Sequence, residues 1–424
     1  MTKDKWQNEL QMIKNNRFID KLTRYGSRVA LQIGTKSYRY QELMILASEQ
    51  AKAFESTSEI IWIETEDPLA FTIRFLAAQL SGNFPMIGGH HHDFELNSIK
   101  VTHRPFFIGV TSGTTGGPKV YARSWESWEA GFKQINQLFQ FEKIENILTS
   151  SPLTTSLGLH TLCLALYLGK TFMKIDDVAA LATIGVPSTL FSVPTFLLRQ
   201  LDVLAVSSHL KSIIFGGGQL SAHMLAQLRP KLKTVALIEF YGSSETSFIS
   251  FQSLNHGKTD LSVGRLFPEV KIAIDDHHAL TVKSPYLFSG YLSSTKSSQP
   301  KQWVVDDLVA YESGQLYLLG RQSDMIDHAG NKVSPHDIEA IAKAHCQACV
   351  AFGVADPLYG QAIALLMVDP SHKPVLQEHL AQALPKYKWP QIYLRTEHIP
   401  LTKEMKLSRT QLATAYEKGE FDAF

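Results

Sequence analysis

The chain has 424 residues, 44% of them hydrophobic, too many for one ordinary core and enough for two or three domains. Lys and Arg total 41 against 40 Asp and Glu, a formal net charge of +1, so the charge balance points to no nucleic-acid or membrane-surface partner. The polar N-terminus lacks the apolar core of a signal peptide, no apolar run reaches the roughly 18 residues of a membrane span, and three cysteines (Cys163, Cys346, Cys349) make no disulfide framework; the expectation is a soluble cytoplasmic protein.

In chain order, residues 5–22 have the spacing of an amphipathic helix, 37–40 of a short strand, and 41–54 of a second helix. Strand-like runs at 60–64 and 106–110 precede helical spacing at 70–80 and 125–139. The rhythm repeats with strand 188–193 and helix 194–204, strand 210–215 and helix 222–228, then strand 234–241. This alternation predicts an α/β fold with a largely parallel sheet. From about 263 to 319, short β-like runs alternate with turns, which predicts a small barrel or meander. Gly320-Arg321-Gln322-Ser323-Asp324 reads as a boundary. Beyond it, helices at 335–344 and 375–384 and strands at 350–354 and 363–368 predict a separate α+β unit of about 100 residues. The expected domains are therefore 1–320 and 321–424.

The chemistry starts where strand 106–110 runs into Thr111-Ser112-Gly113-Thr114-Thr115-Gly116-Gly117-Pro118-Lys119. Glycines let backbone N–H groups turn toward an anion. Four hydroxyls in five positions add neutral donors, and Lys119 adds a point charge. The string suits a polyphosphate, yet it is not the Walker loop, whose spacing is absent. Read alone, it is also compatible with a polar surface loop.

The segment resembles the signature loop of the adenylate-forming superfamily, which contains acyl- and aryl-CoA ligases, adenylation domains of peptide synthetases and luciferases. Further motifs follow in that family's order. Tyr241-Gly242-Ser243-Ser244-Glu245-Thr246 matches its Tyr-Gly-x-Thr-Glu, with Ser244 in place of Thr. The resemblance implies that Tyr241 stacks on adenine, that Ser244 contacts the α-phosphate region, that Glu245 holds Mg²⁺, and that Gly242 belongs to the same nucleotide-binding turn. Gly217 and Gly218 fall in the glycine turn that lines the nucleotide and acyl pockets. Asp307 matches the residue that binds the ribose hydroxyls, and Arg321 another that reaches the nucleotide. Lys406 matches the late lysine that bridges carboxylate and α-phosphate, with Met405 where the family has Gly.

The resemblance therefore implies a large N-terminal domain of stacked α/β sheets with a distorted β-barrel region, and a small mobile C-terminal α+β domain. Thr111, Glu245 and Lys406 are the expected catalytic residues. Thr111, Ser112, Gly113, Thr114, Thr115, Gly116 and Lys119 are the expected nucleotide cradle. ATP, Mg²⁺ and CoA are the implied cofactors and co-substrates, and a carboxylic acid the substrate. Within the superfamily, the stretch from Ile238 to Ser250 and the later Phe288-Ser289-Gly290-Tyr291 most resemble compact long-chain fatty-acid–CoA ligases. A stand-alone enzyme that loads a carrier protein's phosphopantetheine stays open, as does a catalytically impaired nucleotide-binding protein, because Ser323 and Met405 depart from the pattern. No Asp lies between Pro152 and His160, where amino-acid-activating relatives pair with the substrate ammonium, which argues against an α-amino acid. His90-His91-His92 and Cys346-Gln347-Ala348-Cys349 read as structural rather than metal-binding.

Overall fold

The computed structural model describes residues 16–54, 57–88, 99, 101, 104–111, 119–175, 184–204, 207–218, 220, 222–255, 257–258, 261–292, 300–370, 373–401 and 407–424. The chain forms two compact units, Met1–Ile272 with Thr281–Trp303 and Ser313–Leu316, and Ala273–Leu280 with Val304–Glu312 and Tyr317–Phe424.

The first unit opens on α1 (Arg17–Thr23), where Asn16 caps the helix by accepting from the Phe18 and Ile19 amides. The earlier part of the helix expected from residue 5 lies outside the described residues. There follow β1 (Val29–Ile33), β2 (Lys36–Arg39), α2 (Tyr40–Ala51), β3 (Ile60–Ile63), α3 (Pro68–Ser81) and β4 (Phe84–Ile87). The bounds of α3 have local causes. Asp67 accepts the Ala70 amide at 2.7 Å, Pro68 takes the first turn, and Gly82 stops the helix in the left-handed region at φ +81°.

Next come β5 (Phe107–Thr111), β6 (Lys119–Arg123), α4 (Trp125–Leu138), β7 (Asn146–Thr149), α5 (Ser156–Leu168), β8 (Thr171–Lys174) and β9 (Ser188–Ser192). The helix expected over 194–204 is two short ones, α6 (Pro194–Arg199) and α7 (Leu201–Leu204), before β10 (Leu210–Phe215), α8 (Ala222–Leu228), β11 (Ala236–Ser243), β12 (Ser247–Ser253) and β13 (Ser262–Leu266). One sheet of this unit runs β2-β1-β8-β7-β9-β10-β11-β12-β13, parallel from β1 to β11 and antiparallel beyond. The β7–α5–β8 crossover was not legible in the periodicity. Residues 158–167 of α5 are all buried, so the helix has no polar face to mark its period.

Residues 271–321 run as β14 (Lys271–Ile274), β15 (Ala279–Lys283), β16 (Gly290–Tyr291), β17 (Trp303–Glu312) and β18 (Gln315–Arg321), with β14-β15-β17-β18 hydrogen-bonded in that order. Strand β16 leaves this meander and closes a second sheet of the first unit, β3-β4-β5-β6-β16. That sheet buries Trp62, Phe84, Met86, Ile108, Val120, Ala122 and Leu292 on one face. Phe106 joins three helices, its ring centroid 5.2 Å from Phe18, 5.5 Å from Phe75 and 5.0 Å from Trp125.

The second unit contains β19 (Ile326–His328), β20 (Asn331–Val333), α9 (Pro335–Ala342), β21 (Ala348–Asp356), β22 (Gly360–Val368), α10 (Lys373–Ala383), β23 (Ile392–Thr396), α11 (Arg409–Glu417) and β24 (Asp422–Ala423). Strand β22 is central and apolar on both faces. Ile363, Leu365 and Met367 face Ile338, Leu376 and Leu380 of α9 and α10, while Ala362, Ala364 and Leu366 cluster with Leu412 of α11. The two-residue period assigns alternate side chains to the two layers.

One close approach in the first unit is testable. A Cβ on Gly109 of β5 would lie 2.3 Å from the ring of Tyr121, which is fully buried on the neighbouring strand. Gly109→Ala is expected to destabilise the protein by about 1–3 kcal/mol through overpacking, read as a lower midpoint in urea or thermal unfolding.

Candidate active site

The expected phosphate loop is a β-hairpin connection. Its ends, Thr111 and Lys119, pair across the β5–β6 ladder, and the Thr111 hydroxyl sits 3.5 Å from the Lys119 carbonyl. Ser112, Gly113, Thr114, Thr115, Gly116, Gly117 and Pro118 lie outside the described residues. Strand β6 is paired on its other side with β16, Tyr291 opposite Tyr121. The Lys119 ammonium lies 5.6 Å from the centroid of the Tyr291 ring.

The Tyr241–Thr246 motif closes the β11–β12 hairpin. The strands slip register between Tyr241 and Gly242. Position 242 has to be glycine, because a Cβ there would lie 1.8 Å from the Ser247 carbonyl oxygen. The Ser243 hydroxyl accepts from the Glu245 and Thr246 amides at 3.2 and 3.3 Å, and the Thr246 hydroxyl accepts from the Ser243 amide at 3.1 Å. These side-chain bonds replace the ladder bonds that the turn gives up. They leave Glu245 half-buried at the tip.

Glu245 is held from β16, the strand paired with β6, and from the segment just before it. The Tyr291 hydroxyl donates to its Oε1 at 2.6 Å, and the Phe288 amide donates to its carbonyl at 2.7 Å. Arg123, at the inner end of β6, is 1% exposed. Its guanidinium donates to the Ser244 carbonyl, to the Tyr286 carbonyl at 2.6 Å and to the Ser127 hydroxyl at 3.3 Å, while its Nε is buried with no partner. Burial lowers the Arg123 pKa to about 10, opposed by Tyr121 and Glu245. Burial pushes the Tyr121 phenol up, with the Arg123 charge opposing it.

Gly216, Gly217 and Gly218 follow β10 at the carboxyl end of the parallel strands. Gly217 has φ +74°, and a Cβ on Gly216 would lie 2.7 Å from the Phe240 ring. The glycine turn is thus pressed against the residue before Tyr241. Phe240 stacks on Phe248 at 4.2 Å, and Phe248 stacks on His160 at 5.7 Å. Thr111, Lys119, Tyr241, Gly242, Ser244 and Glu245 are therefore tied into one region of the first unit by β6, β11 and β16.

The carboxyl ends of a parallel sheet are where open α/β folds bind ligands. A glycine turn, an aromatic residue and one carboxylate meet there beside a hairpin with a lysine at its base. The family described as AMP-binding enzyme matches residues 41–292. This chain belongs to the AMP-binding enzyme family.

Its relatives include the protein named "Putative long chain fatty acid-CoA ligase VraA" of Staphylococcus haemolyticus, 33% identical over 331 residues, which are 74% of this chain and 71% of that protein. The protein named "Uncharacterized acyl--CoA ligase YhfT" of Bacillus subtilis is 28% identical, over 73% of this chain and 68% of that protein. Among solved structures, ATP-bound MatB from Rhodopseudomonas palustris superposes with a TM-score of 0.82 over 94% of this chain and 99% of its own, at 17% identity. o-Succinylbenzoate coenzyme A synthetase from Bacillus subtilis, solved with ATP and a magnesium ion, gives 0.79 over 93% and 98%, at 20% identity. At such identities the two structures speak for the fold. Family and relatives together place this enzyme among the AMP-forming acyl–CoA ligases.

In the second unit of this family member, Asp307 and Arg321 lie together, Arg321 Nε 3.2 Å from Asp307 Oδ1. Ser323 donates its amide to Asp306 at 3.2 Å and its hydroxyl to the same carboxylate. Lys406 lies outside the described residues, as does Met405. Three positions on, Arg409 is nearly buried. It donates to Asp324 and Glu339 at 2.7 Å each and to the Ala351 carbonyl at 2.9 Å. Burial would raise the Glu339 carboxyl, but His336 and Arg409 outweigh it and hold it at about 2. The Cys346 thiol donates to the Ala342 carbonyl and the Cys349 thiol to that of Glu339. His90, His91 and His92 are outside the described residues. Among the described residues no group of three His, Cys, Asp or Glu could hold a metal ion, and no helix is long and apolar enough to cross a membrane.

Arg123 and Tyr121 were not singled out from the sequence, and Tyr291 only as part of the Phe288–Tyr291 stretch. The available signal was a charged residue closing an otherwise apolar strand directly after the loop. His160 was also passed over. Its ring is packed by Trp128, Phe132, Phe191 and Phe248, and its Nδ1 is buried without a partner. Burial, with Arg123 adding to it, lowers its pKa from the usual 6.5 to about 3. The unfolded chain therefore binds a proton that the folded protein refuses between those values. Stability is intact above pH 6.5 and falls as pH drops toward 3. His160→Phe is expected to flatten this dependence by up to about 1.4 kcal/mol per pH unit, measured by urea unfolding at several pH values between 7 and 4.5.

Proposed function

We propose that this ligase activates a fatty acid with Mg·ATP and transfers the acyl group to CoA. The observation that carries the reading is the gathering of Lys119, Tyr291 and Glu245 at the base of the phosphate loop. In the first step a carboxylate oxygen attacks the α-phosphorus of ATP. The bond from that phosphorus to the β-phosphate bridging oxygen breaks, leaving acyl-AMP and pyrophosphate. In the second step the CoA thiol gives up its proton to solvent, its sulfur attacks the acyl carbonyl carbon, and AMP leaves with the carboxyl oxygen.

The roles follow from the chemistry of the side chains. Thr111, Lys119 and the loop between them would hold the phosphates by backbone N–H groups, hydroxyls and one cation. Tyr241 would stack on the adenine, beside the turn of Gly217 and Gly218. Asp307 and Arg321 would bind the ribose side. Glu245 suits Mg²⁺, which takes one or two carboxylates and fills its other positions with phosphate oxygens and water. The ion would neutralise phosphate charge. Lys406 would stabilise the charge that builds on the transferring phosphoryl group. Between the steps, the unit that carries Lys406 would rotate about the segment near residues 316–324, as in hinge closures.

The fatty acyl choice is supported by the name of the staphylococcal relative and by the absence of an Asp between Pro152 and His160. A panel of fatty acids, aromatic acids and short dicarboxylic acids with ATP and CoA, read by AMP formation, is expected to give the highest kcat/KM for a fatty acid. Turnover confined to the other acids would sink the fatty-acid assignment and leave the ligase intact. Lys406→Ala is expected to slow acid-dependent pyrophosphate release by about 10²–10³-fold while thioester formation from supplied acyl-AMP persists. Equal loss in both half-reactions would refute the role given to Lys406.

A further inference from the structure

A buried, unpaired guanidinium needs a reason. Taking its charge out of water costs several kcal/mol, and an apolar side chain at the same strand position would avoid that cost. Arg123 makes no direct salt bridge among the described residues, and its Nε has no partner. What a guanidinium does and an apolar side chain cannot is to hold two carbonyl groups in a fixed fork. The two it holds are informative. Ser244 is the residue before Glu245, and Tyr286 begins the segment whose Phe288 amide grips the Glu245 carbonyl and whose Tyr291 hydroxyl grips Oε1.

Glu245 is thus gripped at three successive points from one frame. Tyr291 is itself fixed by the β16–β6 pairing, with Gly290 opposite Ala122 and Tyr291 opposite Tyr121, and by edge contacts to Phe288 and Trp303. Its hydroxyl is a donor in a set place, not a mobile one. It occupies Oε1, and Oε2 makes no hydrogen bond among the described residues. A carboxylate with one oxygen tied and the other unspent is oriented to act as a single-oxygen ligand.

We propose that Arg123 and Tyr291 are positioning residues that hold Glu245 ready for the metal ion of the bound nucleotide. Arg123 fixes the backbone of the turn, and Tyr291 fixes the side chain. The proposal rests on the adenylation reading above, so the test separates the two.

Mn²⁺ binding to the full-length enzyme with ATP, and with neither acid nor CoA present, is followed by electron paramagnetic resonance. Tyr291→Phe keeps the ring and removes only the hydroxyl. It is expected to weaken Mn²⁺ in the ATP complex about tenfold, as loss of a group that orients a metal ligand does, with the protein still folded by circular dichroism. In the full reaction its half-saturating Mg²⁺ rises while kcat at saturating Mg²⁺ is retained. Arg123→Lys, which keeps the charge but cannot fork to both carbonyls, is expected to weaken Mn²⁺ as well. Wild-type affinity in Tyr291→Phe overturns the proposal even if Arg123→Lys fails to fold. Wild-type affinity in a folded Arg123→Lys removes Arg123 from it. If the wild-type enzyme itself takes up no Mn²⁺ with ATP, the adenylation reading falls first.

Discussion

The arrangement of the first unit turns on one buried cation. Arg123 joins the end of β6 to Ser127 on α4, to the Ser244 turn and to the loop at Tyr286. Backbone carbonyls solvate the guanidinium in place of water, and hydrogen bonds to a charged group are worth about 1.5–3 kcal/mol each. They recover part of the desolvation cost, and the Glu245 carboxylate acts on the charge at longer range. The same charge reaches His160 and helps keep it neutral inside its aromatic cage. One ionic group thereby holds the turn geometry on one side and, on the other, adds to the burial that keeps an imidazole neutral.

The turn explains why its signature is so restrictive. Gly242 is needed because the backbone of Ser247 occupies the space of its Cβ, and Ser247 itself takes φ +55°. Ser243 and Thr246 spend their hydroxyls on neighbouring amides, and Thr246 is fully buried. Of the residues at the tip, Tyr241, Ser244 and Glu245 are only partly covered. Beneath them, Glu239 is buried and paired with Lys258 at 2.7 Å, with Gln252 and the Leu220 amide as further donors. This ion pair couples β11 to the chain after β12, but a buried pair of this kind mainly specifies an arrangement and is weak evidence of net stability.

What could be read from the sequence follows from this physics. Runs such as 60–64, 106–110 and 210–215 were legible as strands because they are apolar and bounded by turn residues. The motif residues were legible because steric and hydrogen-bonding needs restrict them. The all-buried α5 was not legible, since a helix without a polar face carries no period. Arg123 was not legible, because an isolated arginine reads as surface charge until tertiary structure places it under a turn. In the second unit Arg409 is the same case. It ties Asp324, Glu339 and the Ala351 carbonyl together at the start of α11.

The substrate argument from the missing Asp can be taken one step deeper. The turn at 152–155 contains no acid, but Glu66 reaches it from outside. Its carboxylate accepts the Leu153 amide at 2.8 Å, the Thr154 amide at 3.1 Å and the Thr154 hydroxyl at 2.5 Å, with Lys174 at 3.7 Å. Thr155 donates to the Pro152 carbonyl and accepts the Gly158 amide as the cap of α5. The acid at this turn is therefore engaged by the turn's own donors and by a lysine, and the neighbouring hydroxyl is engaged by a helix. A substrate ammonium here would have to displace those donors and approach Lys174, which like-charge repulsion disfavours. If the proposed function places the substrate at this turn, the way the turn is held adds to the missing Asp as a reason for an acid without an α-amino group.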